Sequence, residues 1–238
     1  MRVLRALLVV LVILVALALV AGEVVLRPLA QRAVAEDVQD RYQLDQRPSV
    51  HLGGFPFLLR VVMGHLPSAT GRLRDTTIEG LTLEEVELRL QDVRFDALDL
   101  LGGGGEVRAD TGQATVTVAD VDLSGYLADR GLAFDVRFTP GQVTVGGTVT
   151  VAGTDVRVEA TGALAIQGGQ LSFRPAGIQL VGSRATLTVP QAVLDTFRDR
   201  VAFTVPLPEV AGVQLTSLEI GTGTATLRAD LAQYLLTG

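Results

Sequence analysis

Apolar and polar residues alternate along most of the chain beyond residue 80, and this period of two predicts β-strands. One apolar face and one face of Thr, Arg, Glu or Gln are typical of an antiparallel sheet. Glycine turns separate several runs, and Gly146-Gly147 fits either a hairpin turn or a bulge within one longer strand. The predicted strands cover residues 81–83, 86–90, 114–118, 143–145, 148–151, 156–159, 171–173, 186–189 and 213–215.

Helical spacing is found ahead of the strands and in three short interruptions. Apolar residues from Val25 to Tyr42 recur every three or four positions, which predicts an amphipathic helix over residues 27–43 with Pro28 in its first turn. The predicted fold class is therefore α+β and mostly β. The shorter predicted helices cover residues 57–63, residues 123–129 with Asp122 as a candidate N-cap, and residues 191–200 after Pro190.

An uncharged run rich in Leu, Val and Ala extends from Ala6 to Gly22, after Arg2 and Arg5. Its length as a helix, about 25 Å, suffices to cross a bilayer core once the flanking residues are counted. Residues 1–22 are either an uncleaved membrane anchor or a signal peptide cleaved after the tripeptide 16–18. The run continues past that tripeptide, which favours the anchor. Both alternatives place the rest of the chain outside the cytoplasm, in the cell envelope or periplasm.

Residues 23–238 are predicted to form one extracytoplasmic, β-rich domain. Four successive glycines, Gly102 to Gly105, are either a linker between two lobes meeting near 102–105 or a hairpin loop within one sheet. Charge is unevenly distributed over this domain. The portion from Arg27 to Arg74 is net basic, and the remainder is strongly acidic although the whole chain has a net charge of only −6. This balance excludes nucleic acid as a partner. The basic portion is either ordinary solvated surface or faces anionic lipid headgroups.

Missing residue types exclude several chemistries. The chain has no Cys and no Trp, and all of its basic residues other than His are Arg. Disulfides, thiol nucleophiles, Cys-built metal sites and lysine-dependent cofactors are therefore absent. The two histidines, His51 and His65, have no third partner for a zinc site. We predict no catalytic residues, no metal and no cofactor.

The acidic residues Glu84, Glu85 and Glu87 are the strongest candidates for catalysis, as acid and base in an enzyme acting on envelope glycans. Such enzymes usually bind sugars on aromatic platforms, and this chain has only three Tyr. A solvated strand face explains these carboxylates more simply.

The most distinctive segment runs from Gly53 to His65 and concentrates apolar residues between glycines. This segment contains the motif Gly54-Phe55-Pro56-Phe57-Leu58. The same chain also has the helix start at residues 26–30, the stretch 76–83 and a Leu-rich turn before Gly102. Together these features resemble the LmeA-like phospholipid-binding family of actinobacterial cell envelopes. The resemblance follows the whole chain in the order of its elements, and its specificity lies in residues 49–65.

The resemblance implies a non-enzymatic protein that binds phospholipid, with phosphatidylinositol among the candidates, and that supports elongation of lipomannan and lipoarabinomannan. It implies a membrane partner and, through the glycan, envelope glycosyltransferases as partners. The implied architecture is similar to tubular lipid-binding domains, with a long curved antiparallel sheet wrapped around the amphipathic helix.

Strand faces built from small residues leave such a sheet short of core volume, so a lipid tail can fill space that side chains do not. A well-packed core of the same residues is the alternative. In that case the protein is a scaffolding β domain of the envelope without bound lipid. The expected slot or mouth residues are Phe55, Phe57, Leu58, Val62 and Met63, and the expected headgroup contacts are Arg60, Arg72 and Arg74.

Overall fold

The computed structural model describes residues 19–78, 80–101, 106–151, 154–167, 170–181, 195, 203–206 and 212–237. The helices are α1 (Arg27–Tyr42), α2 (Phe57–Val62), α3 (Ala97–Leu101) and α4 (Asp120–Asp129), and a π-helical turn, Gly22–Leu26, precedes α1. The strands are β1 (Ser49–Leu52), β2 (His65–Ile78), β3 (Leu81–Phe95), β4 (Glu106–Ala119), β5 (Asp135–Thr139), β6 (Gln142–Val151), β7 (Thr154–Gln167), β8 (Gln170–Val181), β9 (Phe203–Pro206), β10 (Val213–Ile220) and β11 (Thr224–Thr237).

The strands form two antiparallel sheets, which confirms the mostly β prediction. One sheet has the order β1-β2-β3-β4-β11-β10, and the other has the order β5-β6-β7-β8-β9. The single long sheet of the prediction is therefore replaced by two. The reason lies after β4, where α4 intervenes and β5 begins a new hairpin with β6 instead of returning to β4.

Two compact units share the chain. Unit 1 comprises the residues up to Leu73, Glu87–Ala114 and those from Asp230, and unit 2 comprises Arg74–Val86 and Thr115–Ala229. Four long strands, β2, β3, β4 and β11, contribute residues to both units. The lobe boundary predicted near 102–105 falls on residues outside the described ranges and stays a prediction.

Unit 2 contains a core that the alternation of residues anticipates. Alternate side chains of β6 and β7 point inward, and α4 covers them through Leu123 and Leu127. The Gly146-Gly147 pair is buried within β6 and pairs in register with β7, so it is neither a turn nor a bulge. The buried residues of this core are Val136, Phe138, Val143, Val145, Val158, Ala160, Phe173 and Ala225.

Helix α4 begins three residues earlier than predicted. The expected N-cap, Asp122, lies inside the helix, and Asp120 makes the structural contact instead. Its Oδ2 accepts a hydrogen bond from the amide of Phe138 at 3.1 Å. The predicted start of α4 was therefore wrong. No aspartate caps the helix, and the carboxylate of Asp120 binds an amide of the neighbouring strand β5.

Strand bounds also differ from the local pattern. The predicted strands 81–83 and 86–90 are parts of one strand, β3. Five of the described strands were not predicted: β1, β2, β5, β9 and β11. The sequence of β2 contains Pro67 and Gly71 and lacks strict alternation, so pairing with β1 and β3 decides its conformation. The predicted strand 186–189 and the predicted helix 191–200, except Asp195, lie outside the described residues.

Helix α1 has the predicted position but is not amphipathic. Ala35 is its one buried residue, and Leu29, Val34 and Tyr42 are exposed. Charged and amide side chains occur on every side of the helix, so it has no continuous apolar stripe for a sheet to cover. The prediction that this helix is amphipathic, with an apolar face for the sheet to wrap around, is therefore wrong.

The predicted N-terminal transmembrane helix falls mainly on residues 1–18, outside the described ranges. From residue 19 onward, no helix among the described residues is long and apolar enough to cross a membrane. The anchor stays a prediction.

Candidate functional site

Two glycines position the loop that leads into α2. The amide of Gly53 donates to the carbonyl of Ser68 at 2.8 Å, and a Cβ on Gly53 would lie 2.1 Å from the Ser68 hydroxyl. Gly54 has φ +107°, and a Cβ there would lie 2.7 Å from Cδ of Pro67. Since L side chains rarely adopt this φ and both approaches are too close for a Cβ, the loop requires glycine at both positions.

Glu23 and Arg27 hold the start of α2 in place. Oε1 of Glu23 accepts a hydrogen bond from the amide of Phe57 at 2.6 Å, and its Oε2 lies 2.7 Å from the Arg27 guanidinium. Arg27 also donates to the carbonyl of Gly54, and its Cζ lies 5.4 Å from the centre of the Phe57 ring. Glu23 thus binds the backbone amide of Phe57, which has no partner within α2. Arg27 adds a cation–π contact with the Phe57 ring.

Sequence reasoning did not identify Glu23 or Arg27 as part of this site. The one local signal was their i,i+4 spacing, which allows an ion pair on a helix surface. Their partners lie about thirty residues further along the chain, so no local pattern indicates them.

The five expected slot or mouth residues have very different environments. Phe55, Val62 and Met63 are 70%, 71% and 64% exposed, whereas Phe57 is only 2% exposed. Leu58 is half-buried and faces Gly22, where a Cβ would lie 3.0 Å from the Leu58 Cβ. Phe57 is thus part of the interior of unit 1, and the other three form surface.

Further exposed apolar residues lie on the elements next to α2. The turn Gly22–Leu26 packs against α2 and exposes Val24. On the other side, the carbonyl of Gly64 accepts from the amide of Phe95 at 2.9 Å, just before α3, where Leu98 is exposed. We refer to six exposed apolar residues on α2 and on the elements next to it as the apolar patch: Val24, Phe55, Leu59, Val62, Met63 and Leu98.

The three expected headgroup arginines are not equivalent. Arg60 lies on α2 beside the apolar patch and makes no ion pair with any described residue. Nη2 of Arg72 lies 2.9 Å from Glu87, and Nε of Arg74 lies 3.4 Å from Glu85. Arg60 is therefore the expected headgroup residue that the structure brings to the apolar patch.

Distance also separates Arg72 from Arg60. A Cβ on Gly54 would lie 3.4 Å from Cγ of Arg60 and 2.7 Å from Cδ of Pro67, so Arg60 lies near Pro67 of β2. Arg72 lies five positions further along this strand, which is about 17 Å at roughly 3.3 Å per residue. Arg72 is also held by Glu87.

Glu87 is a carboxylate whose charge is stabilised by two arginines. Burial would raise its pKa, but hydrogen bonds from Arg89 and Arg72, together with their positive charges, hold the pKa of Glu87 below its ordinary value. The Arg89 contacts are 3.1 and 3.0 Å. The arrangement suits a structural ion-pair network on the sheet.

An open cleft of about 230 Å³ lies between α1 and the segment before β1. Pro28, Ala35, Pro48 and Val50 supply its apolar lining, and Arg32 and Arg47 stand at its edge. Arg47 is paired with Glu36 at 3.1 Å. No local pattern in the sequence indicates this cleft, because it is formed by residues about twenty positions apart.

Neither histidine is placed for metal binding in the described part of the chain. Nδ1 of His51 lies 3.4 Å from the Gln31 amide nitrogen, and Nε2 of His65 lies 3.3 Å from Asp92. Over the described ranges, no three His, Asp or Glu side chains converge on one point.

Comparison with known families places most of the chain in a described family. A family model described as LmeA-like phospholipid-binding matches residues 21–230, which include α1, the apolar patch and the strands from β1 to the first half of β11. The match confirms the resemblance carried by residues 26–30, 54–58 and 76–83. No curated protein and no solved structure matches the chain.

Proposed function

This chain belongs to the LmeA-like phospholipid-binding family, and we propose that it is a non-catalytic phospholipid-binding protein of the cell envelope. In this proposal, residues near 6–22 anchor it to the plasma membrane and the remainder works outside the cytoplasm. Its role is lipid handling that supports lipomannan and lipoglycan elongation, with phosphatidylinositol as the candidate lipid and envelope glycosyltransferases as candidate partners.

The observation that carries the proposal is the family match, which spans the apolar patch and Arg60. Phospholipid presents acyl chains and an anionic phosphate together, and the site offers exposed apolar side chains beside a guanidinium. Transfer of each methylene out of water is worth about 0.8 kcal/mol. A matching apolar surface and one cation are thus enough to favour phospholipid over a water-soluble ligand.

The state of the acidic residues supports a role without catalysis. A glycosidase general acid needs a raised pKa so that it remains protonated near neutral pH. The pKa of Glu87 is lowered instead. Burial would raise this pKa, but Arg89 and Arg72 stabilise the charged carboxylate by more. Glu85 is paired with Arg74.

Native mass spectrometry of the full chain, released from mild detergent, tests the proposal. We expect a stoichiometric mass increment that organic extraction identifies as phospholipid, with phosphatidylinositol enriched over phosphatidylcholine when both are offered. Phe55→Asp should lower the occupancy, while Tyr42→Asp, at an equally exposed aromatic position on α1, should not. A lipid-free mass that persists after incubation with phosphatidylinositol vesicles would contradict the proposal and favour the scaffolding alternative.

A further inference from the structure

Three exposed apolar side chains lie side by side along α2 and at its end. Leu59 and Val62 belong to α2, and Met63 is the residue that ends it. Their spacing of i, i+3 and i+4 places them on one face. Phe57, on the other side, is buried. A soluble surface rarely keeps such a row of large apolar side chains without a partner.

We propose that this face of α2, with Phe55, Val24 and Leu98 around it, inserts into the interfacial layer of the lipid bilayer. The inference rests on the proposed function, because it names the surface through which the lipid-binding unit meets its membrane. In this arrangement α2 lies parallel to the membrane plane, in the manner of short interfacial helices whose apolar face is immersed to the level of the headgroup boundary.

The position of the N-terminal run indicates a bilayer as the occupant. The uncharged run that forms the proposed anchor ends at Gly22. Gly22 is buried, and a Cβ there would lie 3.0 Å from the Cβ of Leu58 in α2. A chain that leaves the bilayer at Gly22 therefore brings α2 to the bilayer surface with it.

The charge around α2 fits the same occupant. No Asp or Glu occurs between Asp45 and Asp75, so α2 and the segments on either side of it in the chain carry no carboxylate. Glu23, whose side chain contacts the first residue of α2, is engaged by Arg27 and by the amide of Phe57. Arg60 on α2 makes no ion pair with a described residue, and anionic headgroups attract such a charge.

Arg60 is suited to the boundary between headgroups and acyl chains. It follows Leu59 on α2 and makes no ion pair with a described residue. A long arginine side chain can keep its apolar stem with the acyl chains while its guanidinium reaches a phosphate. The carboxylate of Asp96, two residues before Leu98, accepts hydrogen bonds from the amides of Leu98 and Asp99 at 2.8 and 3.3 Å. A charged group at this position limits how deeply Leu98 can enter the bilayer.

The test uses the absence of cysteine. Single substitutions Val62→Cys and Met63→Cys in the full chain carry an environment-sensitive fluorophore, and Tyr42→Cys is the matched control. Tyr42 is 66% exposed, close to the 64% of Met63, and lies at the far end of α1, about 24 Å along the helix axis from its start at 1.5 Å per residue. Each labelled protein is reconstituted into vesicles of phosphatidylcholine and phosphatidylinositol in equal parts.

We expect labels at positions 62 and 63 to be quenched several-fold more by lipids carrying a shallow acyl-chain nitroxide than the label at position 42. Aqueous iodide should give the opposite order. Labels at 62 and 63 that respond like the label at 42 would overturn the inference. Protection from iodide without nitroxide quenching, increasing with the protein-to-lipid ratio, would overturn it as well and assign the surface to a second copy of the chain.

Extraction of the lipid that each labelled protein retains in detergent, before reconstitution, separates this inference from the proposed function. Tightly bound phospholipid with labels 62 and 63 in water would refute insertion and leave lipid binding intact. Labels in the bilayer without any retained phospholipid would support insertion and contradict the proposed lipid-binding function.

Discussion

Oε1 of Glu23 lies 2.6 Å from the backbone nitrogen of Phe57, although the two residues are 34 positions apart. This hydrogen bond joins the turn that precedes α1 to the first residue of α2. It fixes the ring of Phe57 in the interior while Phe55, two residues earlier, points to solvent. The exposed face of α2 therefore depends on a carboxylate outside it.

Glu23→Gln should destabilise unit 1, because the substitution removes the ion pair with Arg27 and weakens the hydrogen bond to Phe57. A hydrogen bond to a charged group is worth about 1.5–3 kcal/mol. Urea unfolding of the full chain in micelles gives the loss in free energy, and hydrogen exchange should show faster exchange over residues 57–62. The control Glu36→Gln, which breaks the exposed pair with Arg47, should cost no more than about 1 kcal/mol.

Gly54→Ala should destabilise the loop before α2. The backbone has φ +107° and the new Cβ would lie 2.7 Å from Cδ of Pro67, so the cost should be about 1–3 kcal/mol. Gly125→Ala is the matched control, because Gly125 lies in α4 with nothing within 4 Å of the added carbon. That change should stabilise the protein by about 0.5–1 kcal/mol. Equal midpoints of thermal unfolding for the two variants would contradict this explanation.

The two phenylalanines of the motif should separate stability from lipid binding. Phe57→Ala removes a side chain that is 2% exposed and should cost about 3–5 kcal/mol of unfolding free energy. Phe55→Ala changes an exposed ring and should leave the unfolding free energy within about 0.5 kcal/mol while lowering phospholipid occupancy. Loss of stability in Phe55→Ala would show that Phe55 is a packing residue. Unchanged occupancy would show that its ring does not contact the lipid.

Arg60→Gln should reduce the preference for anionic over zwitterionic phospholipid, because it removes the guanidinium beside the apolar patch. Arg74→Gln is the comparison, since Arg74 is paired with Glu85 at 3.4 Å and should not affect lipid choice. Competition between phosphatidylinositol and phosphatidylcholine, measured from the extracted lipids, gives the ratio for each variant. An equal effect of both substitutions would indicate a general charge effect and not a contact at Arg60.

Acid should destabilise the Glu87 network. The pKa of Glu87 in the folded chain lies below its ordinary value of 4.5, so its contribution to stability is complete above pH 4.5 and is lost as the pH falls through the lower folded value. Glu87→Gln should flatten this part of the profile of unfolding free energy against pH. Glu84→Gln, an exposed position on the same strand, should retain the slope of the unmodified chain. An unchanged slope in Glu87→Gln would show that Glu87 does not contribute.

Much of the fold could be predicted because strand formation leaves a local signal. The runs 143–145, 156–159 and 213–215 alternate and lie within β6, β7 and β10. The helix predicted at 57–63 is α2. The unpredicted β2 lacks that signal, and its neighbours β1 and β3 provide the hydrogen bonds that make it a strand.

The candidate site could be located from the sequence but not resolved into roles. Residues 53–65 stood out by their composition, and the family match covers them. Phe55 and Phe57 are the same residue type two positions apart, yet one is exposed and the other buried. Likewise, the arginines at 60, 72 and 74 look equivalent in sequence, and only their distance from carboxylates distinguishes them.

The order and composition of the residues are enough to establish the mostly β fold class, the family and the chemistries that the residue types exclude. Periodicity, motif order and composition are properties of neighbouring residues or of totals. The folded chain is needed to show that Glu23 and Arg27 hold Phe57, that Arg72 is paired with Glu87, and that one face of α2 is exposed. Each of these depends on contacts between residues far apart in the chain, and such contacts leave no periodic trace in the sequence.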